Sequence, residues 1–176
     1  MKEFEVYSSL KVPKNSKIII RLDGRSFHKL ARDLKLVKPY DDDFYEVMSK
    51  VCRDLFKEFS AEFAYSFSDE ISLLLDKIPF KGRFEKINSV IASFTSSSFT
   101  LHYNAEFPKP VAFDSRIIPI NDSDIYDYFK WRQDEAWRNC INAYGIWALN
   151  QEYSSSEATE KIKGLKSKDI HDLLFE

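Results

Sequence analysis

Short apolar runs alternate with stretches of helical periodicity along most of the chain. Residues 17–23 (KIIIRLD) form an apolar, β-branched run that ends in a turn signal at Gly24, which predicts a buried strand. Residues 25–33 fit either a short helix or a loop. From about 42 to 59, apolar side chains recur at helical spacing behind an acidic start, so this stretch predicts a helix.

The middle of the chain predicts a hairpin and a second long helix. Two strand-like runs, 62–67 and 71–76, are separated only by the turn signal Ser68-Asp69-Glu70. Apolar residues then line one face of a helix expected over 83–103. Its serines at 96–98 are weak helix formers, and Pro108 and Pro110 lie beyond its expected end.

A fourth strand is predicted over 111–120, followed by a helix that extends to about position 150. The element order is β-α-β-β-α-β, which is the order of a ferredoxin-like, antiparallel α+β sheet. We therefore expect a palm-like domain at 1–150 with additional C-terminal helices. Residues 151–176 are expected to contain a linker, the SSSE run at 154–157, and a basic tail over 158–176 that ends in a short helix.

Composition narrows the class of protein. The 176 residues are 44% hydrophobic and 15% aromatic, which indicates a folded globular chain and not a disordered one. The longest apolar stretches are strand-sized, and the N-terminus has no apolar signal core. Cys52 and Cys140 lie far apart without CxxC spacing, so neither a zinc cluster nor a disulfide framework is indicated. We expect a cytoplasmic protein.

The charge pattern is compatible with local phosphate binding. The formal net charge of −2 argues against coating nucleic acid through bulk charge. Basic residues are nevertheless grouped, for example at 25–38 and at 81–86. These groups are either solvated helix faces or patches that contact phosphate.

Two acidic positions are expected to meet at one rim of the sheet. In the predicted topology the third strand lies between the first and second and runs antiparallel to both. Asp23 ends the first strand, while Asp69 and Glu70 lie in the hairpin beside that end. Paired carboxylates are what a two-metal phosphoryl-transfer site requires, and Gly24 can offer a backbone carbonyl. The alternative is that these are ordinary turn residues whose side chains bond local backbone.

Five motifs, in order, resemble the tRNA-His guanylyltransferase family over about residues 17–150. They are RLDGRSFHKL (21–30), KPYDDDF (38–44), SFSDEISLLL (66–75), FDSR (113–116) and YFKWRQDEAWRN (128–139). The family's catalytic domain resembles a polymerase palm, which agrees with the element order. The resemblance implies addition of nucleotides in the 3′-to-5′ direction to a tRNA 5′ end that is first activated with a nucleoside triphosphate, GTP or ATP.

The resemblance also implies roles for individual residues. Asp23 and Asp69 correspond to the carboxylates that bridge two Mg²⁺ ions, Gly24 to a backbone-carbonyl ligand, and Glu70 to a third, less firmly assigned acid. The implied nucleotide-binding set is Asp23, Gly24, Arg25, Ser26, Phe27, His28, Lys38, Asp41, Ser68 and Asp69. The implied phosphate or tRNA contacts are Arg83, Lys86, Arg132 and Asn139.

Several of these residues have plain structural alternatives. Asp41 is either a guanine acceptor or an acid at a helix start, and Ser68 is either a triphosphate contact or a turn residue. His28 can equally be a packed, hydrogen-bonded histidine. Trp131, Trp137 and Trp147 have helical spacing and are interpreted as packing residues in preference to base-stacking platforms.

The chain departs from the family pattern in two places. True tRNA-His guanylyltransferases carry a His-Ile-Asn-Asn motif where this chain has Trp137-Arg138-Asn139-Cys140. This resembles the guanylyltransferase-like branch, which prefers template-dependent repair of 5′-truncated tRNAs. The chain also stops at Glu176, where the family continues, so a shortened, non-catalytic binder of tRNA or nucleotide is an alternative. Another palm-type enzyme, such as a nucleotide cyclase, is a third. Family members are usually tetramers or dimers of dimers, and a homo-oligomer is expected.

Overall fold

A computed structural model describes residues 1–103, 107 and 109–175. Pro108, expected just beyond the second long helix, and Glu176 lie outside the described residues. The described chain divides into two compact units, and each is described by itself. The first unit contains residues 1–36 and 42–125, and the second contains 37–41 and 126–176.

The first unit is built on a four-stranded antiparallel sheet. Its strands are β1 (Lys17–Gly24), β2 (Ala61–Phe67), β3 (Glu70–Leu75) and β4 (Phe113–Ile120), and they lie in the order β2-β3-β1-β4. Its main helices are α1 (Phe27–Asp33), α2 (Asp42–Glu58) and α3 (Phe84–His102). This confirms the predicted ferredoxin-like order, including the position of β3 between β1 and β2.

The core lies between one face of the sheet and helices α2 and α3. Alternate residues of β1, including Ile18, Ile20 and Leu22, are fully buried against Val51, Leu55 and other apolar side chains of the helices. Since successive strand residues point to opposite faces, the odd-numbered residues of β1 occupy the second face of the sheet. The charged residues Arg21 and Asp23 therefore share that second face.

The two long helices of the first unit are joined by a small polar cluster. Asp54 Oδ2 on α2 accepts hydrogen bonds from the Ser98 hydroxyl and pairs with His102 Nε2, each at 2.7 Å. The partner of His102 could not be identified from sequence, because 48 residues separate the two side chains. These contacts hold the pKa of Asp54 below its usual range, with the Ser98 hydrogen bond as the largest cause.

The second unit is helical. It contains α4 (Ile125–Leu149, from its second residue), α5 (Ser155–Ile162) and α6 (Ser167–Leu174), which share a small core of Ile141, Ile162 and Ile170. Gly145 allows this approach, because a Cβ there would lie 2.6 Å from Ile170 and 2.7 Å from Ile162. The linker predicted at 154–157 is wrong beyond its first residue. Ser154 is the N-cap of α5 and forms a capping box with Glu157, so serine at 154 starts a helix here.

Candidate active site

The predicted carboxylates meet at one rim of the sheet. Asp23 lies near the end of β1 and is paired in register with Glu70 at the start of β3. Asp69 occupies the turn between β2 and β3, directly before Glu70. The two motifs are 46 positions apart in sequence, and the hairpin brings them together as expected.

The strand register adds a third acid beside Asp23. On its other side, Asp23 pairs with Asp114 of β4. Residues directly opposite each other in antiparallel strands have side chains on the same face, so Glu70, Asp23 and Asp114 form one line across three strands. We call these three residues the acidic row. Asp114 is a residue that the sequence reasoning did not assign, although it lies in the quoted FDSR motif.

Two arginines, Arg21 and Arg116, lie on the same face as the acidic row, two residues away from it along their strands. Arg21 pairs in register with Ser72 on β3 and with Arg116 on β4. Arg116 Nη1 lies 3.9 Å from Asp23 Oδ2, and its Nη2 lies 3.4 Å from Asp114 Oδ1. Arg116 was likewise not assigned from sequence. An Asp-x-Arg pattern within a strand places both charges on one face, and this was the available signal.

The surroundings of Asp69 disfavour the charged form of its carboxyl group. Burial raises the pKa of Asp69, and the nearby carboxylates of Asp23 and Glu70 raise it further. A hydrogen bond from its own backbone and the Ser68 hydroxyl, whose Oγ lies 3.2 Å from Asp69 Oδ1, act in the opposite direction. A carboxylate that is partly buried and faces other carboxylates is stabilised by a nearby cation.

The two turns that carry these acids have unusual backbone. Ser26, just after β1, has φ of 60°, and Ser68, in the hairpin, has φ of 52°. Non-glycine residues adopt this left-handed conformation at a cost, and such residues are enriched at functional sites. The first turn is also tied to the strand β4 side of the sheet, because the Arg25 N–H donates to the Ala112 carbonyl at 2.9 Å. That N–H is engaged and does not form part of a phosphate cradle.

The residues of the predicted nucleotide-binding set differ in their exposure to solvent. Arg25, Ser26 and His28 are exposed beside the acidic rim, so the alternative of a packed His28 is excluded. Phe27 is only 6% exposed, and its ring packs against Phe44, Phe99 and Phe113. The ring of Phe27 is therefore part of the core, and the implied place of Phe27 in the nucleotide-binding set stays a prediction that concerns its main chain.

Packing explains the absence of a side chain at Gly24, in addition to the predicted role of this residue as a backbone-carbonyl metal ligand. A Cβ at this position would lie 2.3 Å from a ring carbon of Phe27. The absence of a side chain thus lets the buried phenylalanine close under the strand end. Its predicted role as a carbonyl ligand is compatible with this packing and stays a prediction.

Arg83 and Lys86 are not part of the acidic rim. Arg83 forms a bridge with Lys11, and Val12 N–H donates to the Gly82 carbonyl, so this turn lies beside residues that precede β1. Both residues belong to the N-terminal end of α3, and α3 packs on the face of the sheet opposite the acidic row. Lys86 instead holds its ammonium group 5.2 Å from the Phe80 ring centre. The implied contact of Arg83 and Lys86 with phosphate or tRNA stays a prediction.

The remaining predicted residues belong to the second unit. Lys38 is exposed, and the Asp41 carboxylate accepts a hydrogen bond from the Val37 N–H at 2.8 Å. The Arg132 guanidinium stacks over the Trp131 ring, while Asn139 is exposed on α4. Trp131, Trp137 and Trp147 are all more than 40% exposed, so none of them is a core residue, and their interpretation as helix-packing residues stays a prediction.

Comparison with known proteins identifies the family. The family model described as tRNAHis guanylyltransferase matches residues 1–121, which is more than half of the chain. The chain belongs to the tRNA-His guanylyltransferase family. Members of this family are nucleotidyltransferases, and the predicted enzyme class is thereby confirmed at the level of the family.

Individual relatives extend the match along the chain. A probable tRNA(His) guanylyltransferase of Dictyostelium discoideum is 32% identical, over 98% of this chain and 73% of its own length. The tRNA(His) guanylyltransferase of Debaryomyces hansenii is 33% identical, over 90% of this chain and 64% of its own length. This chain thus spans about two thirds to three quarters of these two guanylyltransferases.

Solved structures of the family share the fold. A bacterial tRNA(His) guanylyltransferase-like protein in complex with ATP is 29% identical, with a TM-score of 0.85 over 99% of this chain and 77% of that one. Another structure, described as the same kind of protein in complex with GTP, gives a TM-score of 0.81 over 99% of this chain and 74% of that one, also at 29% identity. The enzyme from Saccharomyces cerevisiae, at 23% identity, gives 0.89 over 99% and 81% and supports the fold alone.

Proposed function

We propose that this chain adds nucleotides to the 5′ end of a tRNA in the 3′-to-5′ direction, at a site that holds two Mg²⁺ ions. The observation that carries this proposal is the convergence of Asp23 and Asp69 at one sheet rim, next to Glu70. The family match supports the reaction class. The relatives solved with ATP and GTP support nucleoside triphosphates as substrates.

The residues at the rim fit magnesium. Mg²⁺ prefers oxygen ligands, keeps several waters, and is usually held by one or two carboxylates together with substrate phosphates. Asp23 and Asp69 would supply the carboxylates, and the Gly24 carbonyl a further oxygen. Among the described residues no group of three His, Cys, Asp or Glu side chains is arranged to hold a metal, which is consistent with a set of two side chains plus backbone and substrate oxygens.

The raised pKa of Asp69 supports a cation at this position. Burial and the carboxylates of Asp23 and Glu70 disfavour its charged form, and a divalent ion would remove this penalty. When bound, Mg²⁺ neutralises charge on the attacking and leaving oxygens of a phosphoryl transfer. Three exposed residues after β1 adjoin the rim and would orient the triphosphate, namely Arg25, Ser26 and His28. Ser68 and Asp69 would approach the same triphosphate from the hairpin.

The proposed reaction has two nucleotidyl-transfer steps. In the first step the tRNA 5′-phosphate attacks the α-phosphate of a nucleoside triphosphate, and pyrophosphate leaves. In the second step the 3′-hydroxyl of an incoming nucleotide attacks the activated 5′-phosphate, and the activating nucleoside monophosphate leaves. The chain's residues bind and align the two reacting groups, which is the main contribution of a protein to phosphoryl transfer. We propose a cytosolic location for this reaction, supported by the two thiols of Cys52 and Cys140, both free of disulfides.

Template-dependent repair is the preferred form of this reaction. The position of the motif histidine is held by Trp137, which is 56% exposed on α4 and is followed by Arg138. An indole has no counterpart to the hydrogen-bonding pattern of imidazole, since it carries one N–H donor and no acceptor. Addition of a single G to tRNA-His is the other form of the same reaction.

A nucleotide-incorporation assay with labelled tRNA tests the proposal. The purified chain is incubated with Mg²⁺, nucleotides and a labelled 5′-truncated tRNA, beside full-length tRNA-His, and products are resolved by length. We expect extension of the truncated tRNA only with nucleotides complementary to its 3′ half. Asp23→Asn and Asp69→Asn should each abolish incorporation. Asp122→Asn is the matched control, because this exposed acid lies 3.8 Å from Lys17 at the opposite end of β1.

The outcomes separate the alternatives. Extension of full-length tRNA-His with G alone would replace repair by G addition as the activity. Substantial incorporation by the Asp23 or Asp69 variant would refute the metal assignment. Binding of tRNA without extension of either substrate would make this chain a binding protein. Light scattering on the same sample checks the expected tetramer or dimer.

A further inference from the structure

The acidic row is an electrostatically unfavourable arrangement in the absence of a cation. Asp23 has a carboxylate directly opposite it on each neighbouring strand, Glu70 on β3 and Asp114 on β4. Like charges that are directly opposite in an antiparallel pair destabilise the sheet. A positive charge beside the row would offset this repulsion when no metal is bound.

Arg116 is placed to provide this charge. It lies two residues after Asp114 on β4, so both side chains are on the same face as Asp23. Its two terminal nitrogens are directed to different acids, Nη1 at 3.9 Å from Asp23 and Nη2 at 3.4 Å from Asp114. One guanidinium thus offsets charge on two members of the row.

The ion pairs are also easy to break. The side chain of Arg116 is 49% exposed, and those of Asp23 and Asp114 are 42% and 54% exposed. Ion pairs of this exposure are weak and screened by salt. The guanidinium can therefore move into water without leaving a buried charge.

We propose that Arg116 is the resident counter-cation of the acidic row, which a divalent metal ion displaces when it binds at Asp23. This rests on the proposed function, since it takes Asp23 to be a metal ligand. Arg116 is a positioning residue in this scheme. It holds the Asp23 carboxylate in the metal-free protein, and it lowers the affinity for metal because a bound ion must break the pair and then lie near a positive charge.

Metal binding without nucleotide or tRNA measures this effect directly. Mn²⁺ is titrated into the full chain, and free Mn²⁺ is followed by electron paramagnetic resonance. Arg116→Gln should bind Mn²⁺ about fivefold more tightly than the wild type, which corresponds to about 1 kcal/mol. The difference should shrink as NaCl is raised, because the interactions are exposed.

Three controls define the origin of the change. Arg116→Lys keeps the positive charge and should bind Mn²⁺ nearly as the wild type does. Arg53→Gln removes an exposed arginine from α2, which packs on the other face of the sheet, and should leave the affinity unchanged. Asp23→Asn, alone and combined with Arg116→Gln, identifies the binding that occurs at the row. Circular dichroism establishes that each variant is folded.

The possible results separate the inference about Arg116 from the proposed metal site at Asp23. Tighter binding in Arg116→Gln, lost on adding Asp23→Asn, would support the inference, as would Asp23-dependent binding seen only in Arg116→Gln. Asp23-dependent binding with equal affinity in the wild type and Arg116→Gln would overturn the inference and leave the metal site standing. Binding that Asp23→Asn does not reduce would overturn the metal site and the inference together. No binding in either protein would overturn the inference alone, because substrate oxygens complete the proposed metal site.

Discussion

Replacing Gly24 by alanine tests the packing beneath the active-site strand. The new Cβ would lie 2.3, 2.5 and 2.7 Å from three ring carbons of Phe27, whereas ordinary contacts begin near 3.4 Å. The ring would have to retreat by about 1 Å. It is surrounded by Phe44, Phe99 and Phe113, with ring centres 4.9–6.1 Å away, so little space is available.

Overpacking of this kind costs about 1–3 kcal/mol. For a chain of this length each kcal/mol lowers Tm by about 2–4 °C, so Gly24→Ala should melt roughly 2–12 °C below the wild type. Urea unfolding followed by circular dichroism gives the free energy directly. Most of the loss should appear as a lower midpoint with an unchanged slope.

A second substitution identifies the cause. Phe27→Ala removes all three ring carbons that the new Cβ would meet. The double variant should therefore lose less stability than the sum of the two single variants. Additive losses would show that Phe27 is not the source of the strain. Full stability of Gly24→Ala together with lost nucleotide incorporation would refute the packing argument and assign the glycine to ligand binding alone.

Two further predictions concern the acids and helix α5. Asp69→Asn should raise Tm at pH 7 in the metal-free protein while it abolishes incorporation, because burial and neighbouring carboxylates raise the pKa of Asp69 and so disfavour its charge in the folded state. Because the pKa of Asp69 is higher in the folded than in the unfolded protein, its ionisation lowers stability as pH rises above the unfolded-state pKa. The gain in Tm from Asp69→Asn should therefore disappear below about pH 4. A gain in Tm that persists there would contradict this explanation. Ser154→Ala should destabilise α5 by about 1 kcal/mol by removing the capping box, measured as faster hydrogen exchange over Ser155–Ile162 with the strands unaffected. Uniform exchange loss across the sheet would argue against a local cap.

Much of the fold could be predicted because its signals are local. The apolar run before Gly24, the Ser68-Asp69-Glu70 turn and the helical spacing over 42–59 each depend on neighbours within a few residues, and all three elements are present. The SSSE run was wrongly predicted to be a linker, because serine is common in linkers and also at N-caps. The Glu157 three residues after Ser154 was the signal that favoured a cap.

The candidate site was predicted in part for the same reason. The proximity of Asp23 and Asp69 could be predicted from sequence, since strand order alone places both at one rim. The burial of Phe27 could not be foreseen from its position in a motif, because burial depends on Phe44, Phe99 and Phe113 from three distant segments. Likewise, the bridge between Arg83 and Lys11 joins segments that are distant in sequence, and no local pattern predicts it.

The sequence by itself determined the element types, the strand order and the two acids at the rim, because periodicity and turn chemistry are properties of short segments. Only the tertiary structure decided the register between β1 and β4, and with it the placement of Asp114 and Arg116 beside Asp23. A shift of one residue would move these side chains to the opposite face. The physical reason is that register is fixed by packing of whole strands against a shared core, which no local pattern encodes.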